Sequence, residues 1–376
     1  MPAFGILVTN LYPKQMSLLK SIFKKKETPI KTYDDFWSWF RSNEKSFFNV
    51  IKQQGDIEKE FFSKLSPKLN ELKSGFFFLT GMMNDNTAEL ILTADGNIKN
   101  INFVEELVAA APEINGWKLT ALKPPSNIQD TYIEMAGYKF SSDNIWFYPN
   151  NNEWHPDEID VTIIHPDLNE NNRNDITNGV YIFLDNFLGE LNFVTTIDNL
   201  NVVGNDDVEA ERVPIEKLND YLIWREKEFV EKYEGVRHDT EQDSYSAMEA
   251  ELKSGNKLLA IINMDLLKWE SKASHPWILN IEIKYDGSRR NGMPDERTYQ
   301  LLSIIEDEIM ADLKDYDGYL NIGRQTADGI REIYFACKDF RKPSAVLYRI
   351  QQKYGVALDY DIYKDKYWQS FDRFIN

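Results

Sequence analysis

The sequence predicts an α+β protein of two domains. Three observations carry that class. The chain has 376 residues, more than one ordinary core accommodates. Over residues 33–200, helical and strand-like patterns follow one another in mixed order. From Pro276 onward the order is strand, helix, strand, strand, helix, strand. The expected layout is a flexible tail over 1–32, an α+β domain over 33–200, a linker with a bridging helix over 201–244, and a second domain over 245–376.

The N-terminal stretch MPAFGILVTNLYPKQ has no basic leader region and only a short apolar run, which disfavours a secretory signal. MSLLKSIFKKKETP reads like a natural start at Met16, making residues 1–15 an upstream extension. Leu18, Leu19, Ile22 and Phe23 beside Lys20, Lys24, Lys25 and Lys26 fit a small basic amphipathic helix with weak membrane contact. A frayed, solvated tail is the favoured reading.

TYDDFWSWFRSNEKSFFNVIKQQ predicts a helix, with Phe36, Phe40, Phe47 and Ile51 recurring at about one face. Aromatics at this spacing predict core rather than a cofactor box. A second helix follows in DIEKEFFSKLSPKLNEL, then two strands, GFFFLTGM and AELILTADG, around the polar turn NDNT. NINFVEELVAAAP predicts a helix, GWKLTAL a strand and NIQDTYIEMAG a short helix. IWFYP and EIDVTIIH predict strands, NGVYIFLDNFLGE a helix ending near Gly189, and LNFVTTI a strand. VPIEKLNDYLIWREKEFVEKYEG predicts the bridging helix, and VRHDTEQDSYS the flexible joint.

HPDEIDVTIIHPD holds two of the four histidines, each followed by Pro and Asp. A strand rises about 3.3 Å per residue, so Ile159–His165 alone spans roughly 20 Å and sets His155 and His165 near opposite ends of one strand. Two ligands of one zinc ion must each lie about 2 Å from it. The pair is therefore read as turn punctuation, with Pro156 and Pro166 ending strand pairing and Asp157 and Asp167 as turn residues. No metal and no cofactor is expected.

In the second domain KLLAIINMD predicts an extra N-terminal strand. PWILNIEIKYD, PDERTYQLLSIIEDEIMADLK, GYLNIGRQT, GIREIYFACKD, KPSAVLYRIQQKYG and VALDYDIY then predict β-α-β-β-α-β, the ferredoxin-like order. Alternation assigns the faces. Trp277, Leu279, Ile281, Ile333, Phe335, Cys337 and Leu358 point toward the helices, which makes Cys337 a core thiol. Glu282, Glu332, Asp359 and Asp361, around Tyr334 and Tyr363, point to the helix-free face. RNA-recognition modules place positive charge and stacking aromatics on that face, so acid there disfavours RNA. The readings left open are a solvated face, a face covered by the N-terminal domain, and a dock for a basic partner. Arg324 and Arg331, with Glu296 or Glu306, are read as an ion-pair cluster or an anion site.

NGMPDERTYQLLSIIEDEI, GRQTADGIREIYFACKD and the terminal YWQSFDRF resemble the domain-of-unknown-function 695 family, over roughly residues 245–376. The resemblance brings no established activity and no catalytic residues. Its fold pattern is similar to that of the bacterial regulator B of ribonuclease E activity, a protein inhibitor, which makes inhibition the analogous expectation. The N-terminal region, with LDNFLGE, resembles companion domains of uncharacterised bacterial proteins.

Net charge is −18 and the isoelectric point about 4.8, which disfavours nucleic acid and anionic membrane as partners and attracts cations. The single cysteine excludes an intrachain disulfide framework and fits a reducing cytoplasm. No Gly-rich phosphate loop, G-x-S-x-G or H-E-x-x-H is present. Asp185 and Glu190 in LDNFLGE are the candidate acid–base pair of an enzyme, with a helix end at Gly189 as the simpler account. The expected function is thus a cytoplasmic, non-catalytic binding or inhibitory protein for a basic partner, a nuclease or toxin in type. A structural interaction protein and a carboxylate enzyme are the alternatives, and oligomeric state stays open.

Overall fold

The structure, a computed structural model, describes residues 29–208, 210–288 and 290–375. It divides into two compact units, Met1–Lys123 and Pro124–Asn376. The expected 33–200 segment thus spans parts of both. Most of the expected tail, and the reading of Met16 as a start, lie outside the described residues. Within 29–32, Ile30 is buried and its N–H donates to Glu71 at 2.7 Å, so these residues are docked.

In the first unit, α1 (Tyr33–Lys52) starts at Thr32, whose hydroxyl accepts from the Asp35 N–H while Asp35 reaches back to the Thr32 N–H. One turn of π-helix (Glu58–Phe62) leads into α2 (Ser63–Leu72). The strands β1 (Phe77–Asn84) and β2 (Thr87–Thr93) form the expected hairpin. Helix α3 (Ile98–Ala109) crosses to β3 (Trp117–Ala121), which pairs parallel to β2. The aromatic face of α1 makes the core. Phe40 meets Trp117 edge-on at 5.0 Å and Phe47 lies 4.6 Å from Phe61.

The second unit opens with β4 (Ile133–Met135) and β5 (Tyr138–Phe140). The short helix expected in NIQDTYIEMAG is only a 3₁₀ turn over Ile128–Asp130 ahead of β4. Next come β6 (Trp146–Asn150), β7 (Asp160–Ile164), α4 (Arg173–Leu188), α5 (Glu190–Thr196), β8 (Asn199–Val203) and β9 (Val213–Pro214). The sheet order is β8-β7-β6-β9. Helix α4 lays Ile176, Val180, Phe183 and Leu184 among Val161 and Ile163 of β7. At Gly179 any Cβ would fall 2.0 Å from the Phe140 ring, so only glycine admits this approach.

Two expectations are corrected here. LNFVTTI is not a strand: the helix resumes as α5 past Gly189, whose φ of 80° turns the chain. A short apolar run does not separate strand from helix by periodicity. Residues 201–244 are not a linker. They carry β8, β9 and α6 (Leu218–Tyr233), and Ile215, Leu218 and Leu222 are in the core. The expected joint VRHDTEQDSYS is also tied down. Thr240 donates to Asp315 through N–H at 3.1 Å and hydroxyl at 3.0 Å, and His238 meets Asp243 at 2.8 Å.

The rest is one antiparallel sheet with its helices. Strands β10 (Tyr245–Glu251) and β11 (Lys257–Asn263) form a hairpin, followed by α7 (Met264–Lys268) and β12 (Trp277–Lys284). Then come α8 (Glu296–Asp312), β13 (Tyr319–Ala327), β14 (Ile330–Cys337), α9 (Arg341–Tyr354) and β15 (Leu358–Lys364). Asp295 caps α8 and Gly355, in the left-handed region, ends α9. The sheet order is β10-β11-β13-β14-β12-β15. The sequence predicts one strand ahead of β12; there are two.

Candidate functional site

The face of this sheet away from α8 and α9 is divided. At one end Ile278, Leu320, Ile322, Tyr334 and Ala336 are buried beneath α7 and the C-terminal turn Gln369–Phe374. Trp368 and Phe371 are each 1% exposed there, and the Trp368 indole N–H donates to the His275 carbonyl at 3.0 Å. Tyr334, expected as an exposed anchor, is therefore corrected to a core residue at 2% exposure. Its ring meets Phe371 edge-on at 5.3 Å, and Arg373 donates to its hydroxyl at 3.1 Å. Burial, with the Glu332 carboxylate beside it, pushes the Tyr334 phenol far above its ordinary range. Tyr363 is half-buried at the border of the same turn.

At the other end the strand registers bring three carboxylates into one row. Glu282 on β12 is directly opposite Glu332 on β14 and directly opposite Asp359 on β15. Asp361 is two register pairs away on the same face, opposite Asn280. Glu332 accepts from the Gln325 side-chain amide. Asp359 and Asp361 accept from the N–H groups of Tyr360 and Ile362 at 2.8 and 2.9 Å. Glu282, between them, has no hydrogen-bond or ion-pair partner among the described residues. Facing like charges oppose pairing, so the row is a standing demand for cations. Among the described residues no three His, Cys, Asp or Glu side chains are arranged to hold a metal ion.

The arginine cluster forms on the opposite face. Glu306 of α8 bridges Arg324 at 2.7 Å and Arg331 at 3.3 Å. The Arg331 Nε donates to Thr326 at 3.0 Å, and the guanidinium lies 5.3 Å from the Tyr299 ring. With Arg331 only 2% exposed and Glu306 between the cations, the arrangement is that of a buried ion-pair cluster. Glu296 stays outside it and accepts from Gln300 at 2.9 Å. Glu190 is fully buried and Asp185 half-buried, an arrangement that keeps Glu190 from a dissolved substrate.

His165 directly follows β7, and His155 lies five residues ahead of it. His165 is fully buried against the Lys139 carbonyl at 2.9 Å, and the His155 ring lies tilted against the Tyr367 ring at 4.6 Å. Asp157, expected as a turn residue, is instead a hub of side-chain bonds. Asp157 takes Lys232 at 2.6 Å, the Tyr233 hydroxyl at 2.7 Å and the Tyr367 hydroxyl at 3.0 Å. Burial alone would raise its carboxyl, but these bonds hold it below the ordinary range. Lys366, 2% exposed, joins the Asp157 carbonyl to the Asp198 carboxylate, each at 2.7 Å. An open cleft of about 440 Å³ borders Asp157, Tyr233, Glu270 and Tyr367. The groups are mutually satisfied, so the cluster reads as a polar clasp. Only the lysines and aromatics of KDKYWQ hinted at it.

Residues 253–375 match the model of a family described as a family of unknown function, DUF695. No curated protein and no solved structure matches the chain. No helix among the described residues is long and apolar enough to cross a membrane.

Proposed function

We propose that the C-terminal sheet is a ferredoxin-like unit, β12 to β15 with two helices, extended by β10 and β11, and that it docks a basic protein. The strand order β13-β14-β12-β15 with its β-α-β-β-α-β connectivity supports the fold reading. The docking surface is the row Glu332, Glu282 and Asp359 with Asp361, bordered by Tyr363. Tyr334 supports the surface from within. The partner is a cytoplasmic enzyme of the nuclease or toxin type, held inactive by a non-catalytic binder.

One observation carries this reading: Glu282 stands between two carboxylates with no cation paired to it among the described residues. A partner's arginine or lysine supplies one, and the chain's charge of −18 steers the approach. Affinity capture from the native host at low salt tests it, comparing the unaltered protein with Glu282→Gln/Glu332→Gln. The expected outcome is a basic protein retained by the first and lost by the second. Equal retention by both overturns the reading.

A further inference from the structure

The two edges of the six-stranded sheet are β15 and β10. Which backbone groups each turns outward follows from the ladder phase. Along β15, the bonds Lys284 N–H to Ala357 and Asp365 N–H to Pro276 fix the odd-numbered residues as bonded to β12. Leu358, Tyr360 and Ile362 therefore face out. Each of those N–H groups is already taken: by the Val356 carbonyl at 2.8 Å, by Asp359 and by Asp361. Gln351 also donates to the Leu358 carbonyl at 3.1 Å. This edge is closed by its own chain.

Along β10, Leu252 N–H to Asn256 and Met264 N–H to Ser244 set the opposite phase: even-numbered residues bond to β11. Tyr245, Ala247, Glu249 and Glu251 turn their N–H and C=O groups outward. Among the described residues nothing bonds to those groups, and all four residues are exposed. Their side chains share a face with Leu259 and Ile261 of β11, which are 43% and 39% exposed. Tyr245 adds 46%. Lys257 pairs with Glu249 at 2.5 Å, so the two glutamates keep an excess negative charge.

We infer that β10 is a docking edge that accepts an extended, basic segment of another protein as a seventh strand. Main-chain bonds to Tyr245, Ala247, Glu249 and Glu251 provide the pairing. Apolar residues of the incoming strand lie beside Tyr245, Leu259 and Ile261, and its lysines or arginines meet Glu249 and Glu251. A second copy of this chain fits less well, because it brings the same acidic strand and a further charge of −18. The inference does not rest on the carboxylate row, which begins on β14 and is separated from β10 by β11 and β13.

The test is hydrogen–deuterium exchange on the full chain with a short synthetic peptide alternating Val and Lys. Saturating peptide is expected to slow exchange of residues 245–251 by about tenfold. The Glu282→Gln variant, altered only on the carboxylate row, shows the same protection. Ala247→Pro removes one outward N–H without touching the β10–β11 ladder and is expected to abolish it. Should that variant fail to fold, the same peptide with alternate backbone nitrogens methylated tests the unaltered protein and is expected to give no protection. Protection by the methylated peptide, or by a Val–Glu peptide, overturns the inference. So does protection that grows with protein concentration in the absence of peptide, which is the signature of a second copy.

Discussion

One face of the six-stranded sheet ends in two opposite ways. Ile278 and Glu282 lie on the same side of β12, about 13 Å apart. Around Ile278 the chain folds its C-terminal turn back and seals Tyr334, Leu320 and Ile322 under Trp368 and Phe371. Around Glu282 carboxylates are set opposite one another, and among the described residues none bonds to or pairs with the Glu282 carboxylate. The sealed half follows the ordinary logic of apolar burial. The acidic half works against stability. On the proposed function, the charged half is where a partner's cations dock.

The largest expected effect breaks the sealed half. Trp368→Ala removes a fully buried indole and its bond to the His275 carbonyl, and costs about 3–5 kcal/mol in urea unfolding. A loss below about 1 kcal/mol would mean that the turn is not part of the core. Glu282→Gln, by contrast, costs nothing on this account.

The sealed half also carries an acid sensitivity. His275 is fully buried, and burial, with Lys338 and His238 nearby, holds its imidazole down to about 3. In the unfolded chain it titrates near about 6.5. The unfolded state therefore binds the extra proton between those values. This stability is fully present above about pH 6.5 and is lost as pH falls toward 3, by about 1.4 kcal/mol per pH unit. Replacing the imidazole in His275→Gln flattens that slope in melting experiments between about pH 6 and 4. An unchanged slope assigns the acid sensitivity elsewhere.

The β-α-β-β-α-β order was legible because its strands alternate cleanly and its helices carry end signals, Asp295 before α8 and Gly355 after α9. Strand β10 was not. SYSAMEAE is short in branched and aromatic residues, and an edge strand exposed on most positions has no apolar rhythm to read. Helix α5 was misread for the converse reason, since six or seven apolar-rich residues fit either period. The parity of the acidic row was legible from alternation, and its register could not have been, because opposition across β14, β12 and β15 depends on strand order. The sealing of Tyr334 depended on a return of YWQSFDRF that no local pattern announces. Asp157 shows the same limit. Its partners Lys232, Tyr233 and Tyr367 are distant in sequence, so a hub looked like a turn.

The central claim is that the row of Glu332, Glu282 and Asp359 is held against stability for a cation from outside. The most direct measurement is the unfolding free energy of Glu282→Gln, by urea at low and at high salt, with no partner present. The account predicts a gain of about 0.5 kcal/mol at low salt that shrinks as salt screens the row. A loss of stability at low salt would contradict it, because Glu282 would then already have its counter-charge within the chain.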